Sequence, residues 1–315
     1  MDVSVIIVTY NSVWEKLELT LISSVRQKNI SLQIIIADDG SESVYHKEIE
    51  QLMLKYKFYN YKIISKSVNQ GTVLNIANGL KYADGFYTKT IAPGDYFYDE
   101  LSLYKWCKFM KDNHIKVSFG NAIFYRKFNL MEFIKIKGSP VNKYLYHQNQ
   151  KRNKIFVDYI VANDTILGAA QMMETSLIKE YIQLISNKVI YAEDYMLRIM
   201  IFDGIKVCYY PSIVIMYEYG TGISTSQNDK WKKILQKDFE QTDNIILHRK
   251  AKSNIQKKYQ KYLKVRKSRF NKWIKAFYFP KMVIFRLRMK FAKSLIPTGG
   301  SINAARWIIS EKEVK

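Results

Sequence analysis

Cysteine is nearly missing from this chain: 315 residues hold two, Cys107 and Cys208, far apart in sequence. Two such thiols give neither a disulfide framework nor a cysteine metal cluster, and they suit a reducing compartment. Histidine is also scarce, and His46, His114, His147 and His248 show no ligand spacing. With five prolines and thirteen glycines there is no low-complexity linker and no internal repeat. Nowhere do 18 uncharged apolar residues follow one another, so no segment is expected to span a bilayer. The N-terminus enters a strand pattern without a basic and then apolar leader, so secretion by a signal peptide is not expected either. Acidic residues vanish from Asn244 to Ser310, where 18 basic residues have none to balance them.

That last absence explains the formal net charge of +22. Residues 1–229 carry 26 Lys and Arg against 23 Asp and Glu, whereas residues 230–315 carry 24 against 5. The charge belongs to the tail, and the two parts are read separately, as a domain over 1–229 and a basic helical region over 230–315. Hydrophobic content of 48%, with 14% aromatic, supplies ample apolar surface for a folded core.

The first part alternates strand and helix patterns. Val3 to Val8 and Ile34 to Ala37 are apolar runs, and between them Leu17, Leu21 and Val25 recur at helical spacing, with Ser12 placed to cap. Ser41 is placed to open a second helix through Val44, Ile49, Leu52, Met53 and Tyr56, before a strand at Tyr61 to Ile64. This is a βαβαβ series, the pattern of a parallel sheet. A short helix through Leu74, Ala77 and Leu80, a strand at Phe86 to Ile91, a helix at Leu101 to Met110 and a strand at Val117 to Phe124 follow. Arg126 to Asn163 shows no clear period; helices are expected at Thr175–Ile185 and Asp194–Phe202, then a strand at Val207 to Tyr210.

Polar residues gather where the strands end. Thr9-Tyr10-Asn11 closes the first, Asp38-Asp39-Gly40-Ser41 the second, and Ala92-Pro93-Gly94-Asp95 a later one. In an open α/β sheet ligands bind beyond the carboxyl ends of the strands, so these side chains are placed to meet one. Carboxylates there also make good helix caps, and that reading stands beside the first.

Taken in order, Val3 to Asn11, Ile36-Ala37-Asp38-Asp39-Gly40-Ser41, Asn69-x-Gly71, Ala83-x-Gly85-x-Tyr87, Pro93-Gly94-Asp95 and Glu193-Asp194-Tyr195 form a series that resembles the family 2 glycosyltransferases, of the kind that build bacterial surface polysaccharides. The resemblance covers roughly residues 3 to 225. It implies the GT-A fold, an α/β class with a mixed, mostly parallel sheet flanked by helices, and sugar transfer from a nucleotide sugar, with a UDP-sugar as donor. Thr9, Tyr10, Asp39 and Asn69 would then hold the nucleotide, with Asp38 in support. Asp194 would be the base of an inverting displacement, oriented by Glu193. Gly168 and Ser224 would lie on the acceptor side, Ser224 in a lid from Tyr217 to Thr225. Relatives carry an Asp-x-Asp cluster for Mn²⁺ or Mg²⁺ on the diphosphate; here Ala92 and Gly94 stand in its place and Asp95 alone would serve as metal and donor contact. An Arg-Asn pair common in the family is replaced by Ile76-Ala77. The loss of the cluster keeps open a catalytically weak nucleotide- or glycan-binding protein of the same fold.

In the tail, Ile255, Tyr259, Tyr262, Leu263, Phe270, Trp273, Ile274 and Phe277 recur at helical spacing among lysines, and Ile284, Leu287, Phe291 and Leu295 make a second stripe. Basic amphipathic helices rich in aromatics suit an anionic membrane surface. The same stripe also suits packing on the first domain or on a second protomer. No zinc, RRM-like or helix-turn-helix signature points to nucleic acid. The expected location is cytoplasmic, at the inner face of the cell membrane, with a glycan or lipid-linked saccharide as acceptor.

Overall fold

The computed structural model describes residues 1–127, 132–134, 136–137, 140–147, 152–220, 229–249, 253–267 and 271–280, with Leu287, Lys290, Phe291, Ser294, Leu295 and Trp307. In chain order the elements are β1 (Val3–Thr9), α1 (Trp14–Val25), β2 (Leu32–Asp38), α2 (His46–Lys55), β3 (Tyr61–Ser65), α3 (Thr72–Leu80), β4 (Tyr87–Ile91), β5 (Tyr96–Phe97), α4 (Ser102–Asp112) and β6 (Val117–Lys127). There follow β7 (Glu132–Ile134), β8 (Ile136–Lys137), α5 (Arg152–Ile155) running into a π-helical turn (Phe156–Val161), β9 (Gln171–Glu174), α6 (Thr175–Ile185), α7 (Met196–Asp203) and β10 (Val207–Glu218). The chain ends in α8 (Asp229–Leu247), α9 (Ser253–Lys267), α10 (Asn271–Tyr278) and β11 (Ser294–Leu295).

Among the described residues one nine-stranded sheet runs β3-β2-β1-β4-β9-β6-β10-β5, with β7 on β6. β1 pairs in parallel with β2 and β4, and β10 in parallel with β6. The short β9 lies antiparallel between β4 and β6 and so keeps those two strands pointing the same way. β1, β2, β4 and β10 therefore end at one edge. Apolar residues fill both faces. Ile6, Ile35 and Ala37 belong to one core; Val3, Val5, Ile7, Ile34 and Ile36 belong to the other. A strand covered on both sides reads as a continuous apolar run, as β1 and β2 do.

Several local expectations are corrected. Ser12 does not cap α1: the helix starts after Val13, and the Ser12 hydroxyl bonds Thr9 Oγ1 at 2.7 Å. Ser41 does not open α2, which starts after Tyr45, itself at φ 56°. The Ser41 hydroxyl is taken by the Asp38 carboxylate and by the backbone N–H of Asn11. In α3 the buried stripe is Val73, Ile76 and Leu80, so Leu80 is kept while Val73 and Ile76 take the places expected for Leu74 and Ala77. β10 runs to Glu218, so Tyr217 and Glu218 are strand rather than lid; Ser224 and the rest of that expected lid beyond Gly220 lie outside the described residues.

Packing continues across residue 229. Ile245 and Ile246 of α8, and Ile255, Tyr259, Tyr262 and Leu263 of α9, join the same core as α3, α6 and α7. The first half of the expected membrane stripe therefore packs inward. At its centre Asp243 lies 3.8 Å from the fully buried Arg198 of α7, pairs with Arg266 of α9 and accepts the Tyr259 hydroxyl. Two guanidinium groups thus share one buried carboxylate, and its loss leaves uncompensated charge in a dry core. Asp243→Ala should lower stability by about 3–5 kcal/mol in urea melts; a wild-type midpoint would show that α8 and α9 do not depend on this contact.

Candidate active site

At the shared edge the first two strand ends are laced together. Asp38 Oδ2 accepts the N–H groups of Gly40 and Ser41 at 3.1 and 2.9 Å, making a tight polar turn. Asn11 Oδ1 accepts the Glu42 N–H at 3.0 Å, and the Asp39 N–H donates to the Thr9 carbonyl at 3.0 Å. Asp39 is then buried with its carboxylate aimed at the loop after β3. Its oxygens accept the N–H groups of Gln70 and Gly71 at 3.1 and 2.7 Å, with Lys66 Nζ at 3.6 Å. Burial lowers the Lys66 ammonium pKa, and the Asp39 charge opposes that shift. The clamp needs Gly40 at φ 83°, because a Cβ there would come within 2.8 Å of the Val68 backbone. Thr9, Tyr10, Asp39 and Asn69 are thereby brought together, with the half-exposed Tyr10 ring at the rim.

Glu193 and Asp194 form a short 3-10 turn ahead of α7. They line a cleft with Thr88 and Thr90 of β4, Gly168, and Gln171 and Met173 of β9. Gly168 lies on the pair: a Cβ added to it would stand 3.3 Å from Asp194 Cβ. Both carboxyls open to the cleft but are closely ringed by protein. Burial raises both, and the Asp194 charge raises Glu193 further. The buried Arg198, one turn along, partly offsets the rise for Asp194.

Three features escape a reading of the sequence. Asp238 of α8 is buried, and its carboxylate accepts the consecutive N–H groups of Ile190, Tyr191 and Ala192 at 3.0, 2.8 and 3.0 Å. It fixes the backbone just ahead of the acid pair, and nothing in a segment assigned to a basic tail signals that role. Tyr191 is the second: burial raises its phenol, and the charges of Asp39 and Tyr10 add to the rise. The third is Lys89 of β4, fully buried beneath the site, its ammonium pushed down to about 7 by desolvation against the opposing charges of Asp95 and Glu193.

The sequence profile of glycosyl transferase family 2 matches residues 4–164, just over half of the chain. The chain belongs to that family. It is a glycosyltransferase. No curated protein sequence matches it. Its fold is similar to that of S. aureus TarS residues 1–349 in complex with UDP, with a TM-score of 0.58 at 15% identity over 91% of this chain and 75% of that one. Against S. aureus TarS solved at greater length the match covers 86% of this chain and 44% of that one, with a TM-score of 0.57 at 18% identity. The mannosyltransferase PcManGT of Pyrobaculum calidifontis, in complex with GDP-Man and Mn²⁺, gives a TM-score of 0.56 at 12% identity over 99% and 79% of the two chains.

In this glycosyltransferase the loop after β4 is a poor fit to a divalent cation. Ala92 and Gly94 offer no side-chain oxygen. Asp95 is buried, its Oδ1 accepts the Glu218 N–H at 3.1 Å, and desolvation pushes its carboxyl up to about 7. Its carbonyl accepts the Thr20 hydroxyl of α1 at 3.0 Å. In this structure Asp95 ties the loop after β4 to α1 and β10. Among the described residues no three His, Cys, Asp or Glu side chains converge as metal ligands.

Removal of the Asp238 carboxylate should orphan three amide donors. Asp238→Ala is expected to cost on the order of 1–3 kcal/mol for each donor that water does not reach, measured by chemical denaturation. A change under half of one such unit would refute the clamp.

Proposed function

We propose that the enzyme moves a sugar from a UDP-sugar to a hydroxyl of a glycan or lipid-linked saccharide, with inversion at the anomeric carbon and Asp194 as general base. The observation that carries this reading is the acid pair in its cleft, on the same sheet edge as the Asp39 clamp. Asp39 bonds the Thr9 carbonyl through its N–H and the loop after Asn69 through its carboxylate, whose oxygens each accept one backbone N–H and keep a lone pair for the ring N–H of a base. Asp194 takes the acceptor proton as the acceptor oxygen attacks, while the bond to the diphosphate breaks on the opposite face. A carboxyl raised toward neutrality is a stronger base than an ordinary aspartate, yet still ionised at cytoplasmic pH. Glu193 orients the pair, and Gly168 leaves room beside it.

Ala92 and Gly94 favour a second reading, a catalytically weak nucleotide- or glycan-binding protein of the same fold. Release of UDP from a UDP-sugar without acceptor separates the two, since slow hydrolysis needs an active site.

A peripheral membrane location is supported by what α9 leaves uncovered. Trp273, Phe277 and Phe291 are 80%, 81% and 82% exposed, in a segment whose sequence is basic throughout. Among the described residues no helix is long and apolar enough to cross a membrane. Trp273→Ala combined with Phe277→Ala should reduce cosedimentation with phosphatidylglycerol vesicles several-fold, and unchanged binding would remove the membrane assignment.

Asp194→Asn is expected to lower kcat by roughly 10²–10⁴-fold while UDP binding stays near wild type. For the wild type the rate should fall as pH drops through a pKa of about 6, the raised value for Asp194, because protonation removes the base. A fully active Asp194→Asn enzyme, or an acid limb at the ordinary aspartate pKa, would sink the assignment.

A further inference from the structure

The loop that lacks two aspartates holds a different charge arrangement. Gly94 sits at φ 99°, and a Cβ built on it would lie 2.5 Å from Glu218 Oε2. The Glu218 carboxylate, at the end of β10, therefore covers the space where a side chain at position 94 would start. An aspartate there and Glu218 in this place exclude each other. Glu218 in turn accepts two hydrogen bonds from Lys16 Nζ, each at 2.7 Å. The carboxylate is 10% exposed and the Lys16 side chain 36%, so the ammonium is the outward member of the pair.

The position of Lys16 is fixed from several sides. It stands in the first turn of α1, at the positive end of the helix dipole. One turn on, Thr20 Oγ1 accepts the Gly94 N–H at 3.1 Å and donates to the Asp95 carbonyl at 3.0 Å, which holds α1 against the loop. The Lys16 charge reaches Asp95 and opposes its rise. A cation thus lies over the loop after β4, at the edge that carries Asp39 and the acid pair.

We propose that Lys16, held by Glu218, supplies the positive charge that meets the donor diphosphate, and that this enzyme binds its donor without a divalent cation. This rests on the nucleotide-sugar reading above. Charge accounting favours it: two aspartates plus a divalent cation sum to zero, as do Glu218 plus Lys16. An ammonium on a flexible stem is a competent point-charge partner for phosphate. As the sugar–diphosphate bond breaks, its electron pair stays on the departing phosphate oxygen. Lys16 faces that growing charge, and the acceptor proton passes to Asp194. Glu218 positions Lys16 and touches no reacting atom.

The test is calorimetric binding of UDP and of uridine, each in EDTA and in Mn²⁺, to the wild type, Lys16→Met, Lys16→Arg and the charge-neutral double variant Lys16→Met/Glu218→Gln. In EDTA the wild type should bind UDP more tightly than uridine, and Mn²⁺ should change the UDP affinity less than about twofold. Both Lys16→Met forms should lose roughly 10- to 100-fold in UDP affinity, the range of a hydrogen bond to a charged group, and Lys16→Arg should recover part of it. Uridine affinity should be the same in all four proteins, which also reports that each is folded. A wild type that needs Mn²⁺ to prefer UDP over uridine, or Lys16→Met variants that bind UDP as the wild type does, would overturn the proposal. Failure of uridine and UDP alike to bind the wild type would instead overturn the nucleotide-sugar reading, and this inference with it.

Discussion

The carboxylate of Asp238 is the contact on which the rest of the site depends. It gathers the N–H groups of Ile190, Tyr191 and Ala192, and that short stretch has two further duties. The Ile190 carbonyl accepts the Val73 N–H at 3.0 Å and crowds Gly71, whose N–H is held by Asp39. Ala192 leads directly into Glu193 and Asp194. One buried charge on α8 therefore ties the Asp39 side of the site to the acid pair. Three hydrogen bonds to an ionised acceptor are stronger than three between neutral groups, and burial strengthens them again.

This contact also accounts for the length of the folded unit. An α/β sheet with its strand-end loops is not enough: among the described residues the three donors ahead of the acid pair meet no acceptor on the sheet and take one from elsewhere. α8 provides it. Asp243, on the same helix, then anchors α9 through Arg266 and Tyr259 while it neutralises Arg198 beneath the site. The C-terminal helices are as much a floor for catalysis as an appendage, and the surface of α10 is what remains free to face something else.

The carboxylates of the site live in different electrostatic settings. Asp38 and Asp39 accept backbone N–H groups and fix loops. Glu193 and Asp194 have few donors and rise toward neutral pH through burial. Glu218 is spent on Lys16, and Asp95 is sealed under its loop. Environment, more than residue type, divides the work among six acids.

The βαβαβ succession of the first half was legible in the sequence, since β1 and β2 are apolar runs that end in polar residues, a pattern that survives any tertiary detail. So was the grouping of Thr9, Tyr10, Asp39 and Asn69, because a parallel sheet has to put successive strand ends side by side. Helix starts were misjudged where Ser12 and Ser41 had better partners than a helix end. β9 was missed because four residues carry no period. Asp238, Lys16 and Glu218 were out of reach: each acts on a residue tens to hundreds of positions away, and no local pattern records such a partner. The sequence by itself determined the fold class and the edge at which the polar strand ends gather, because period and polarity are properties of neighbours along the chain. Which carboxylates ionise, which are buried, and that a lysine lies over the loop lacking two aspartates were decided only by the tertiary structure, because charge and desolvation act through space.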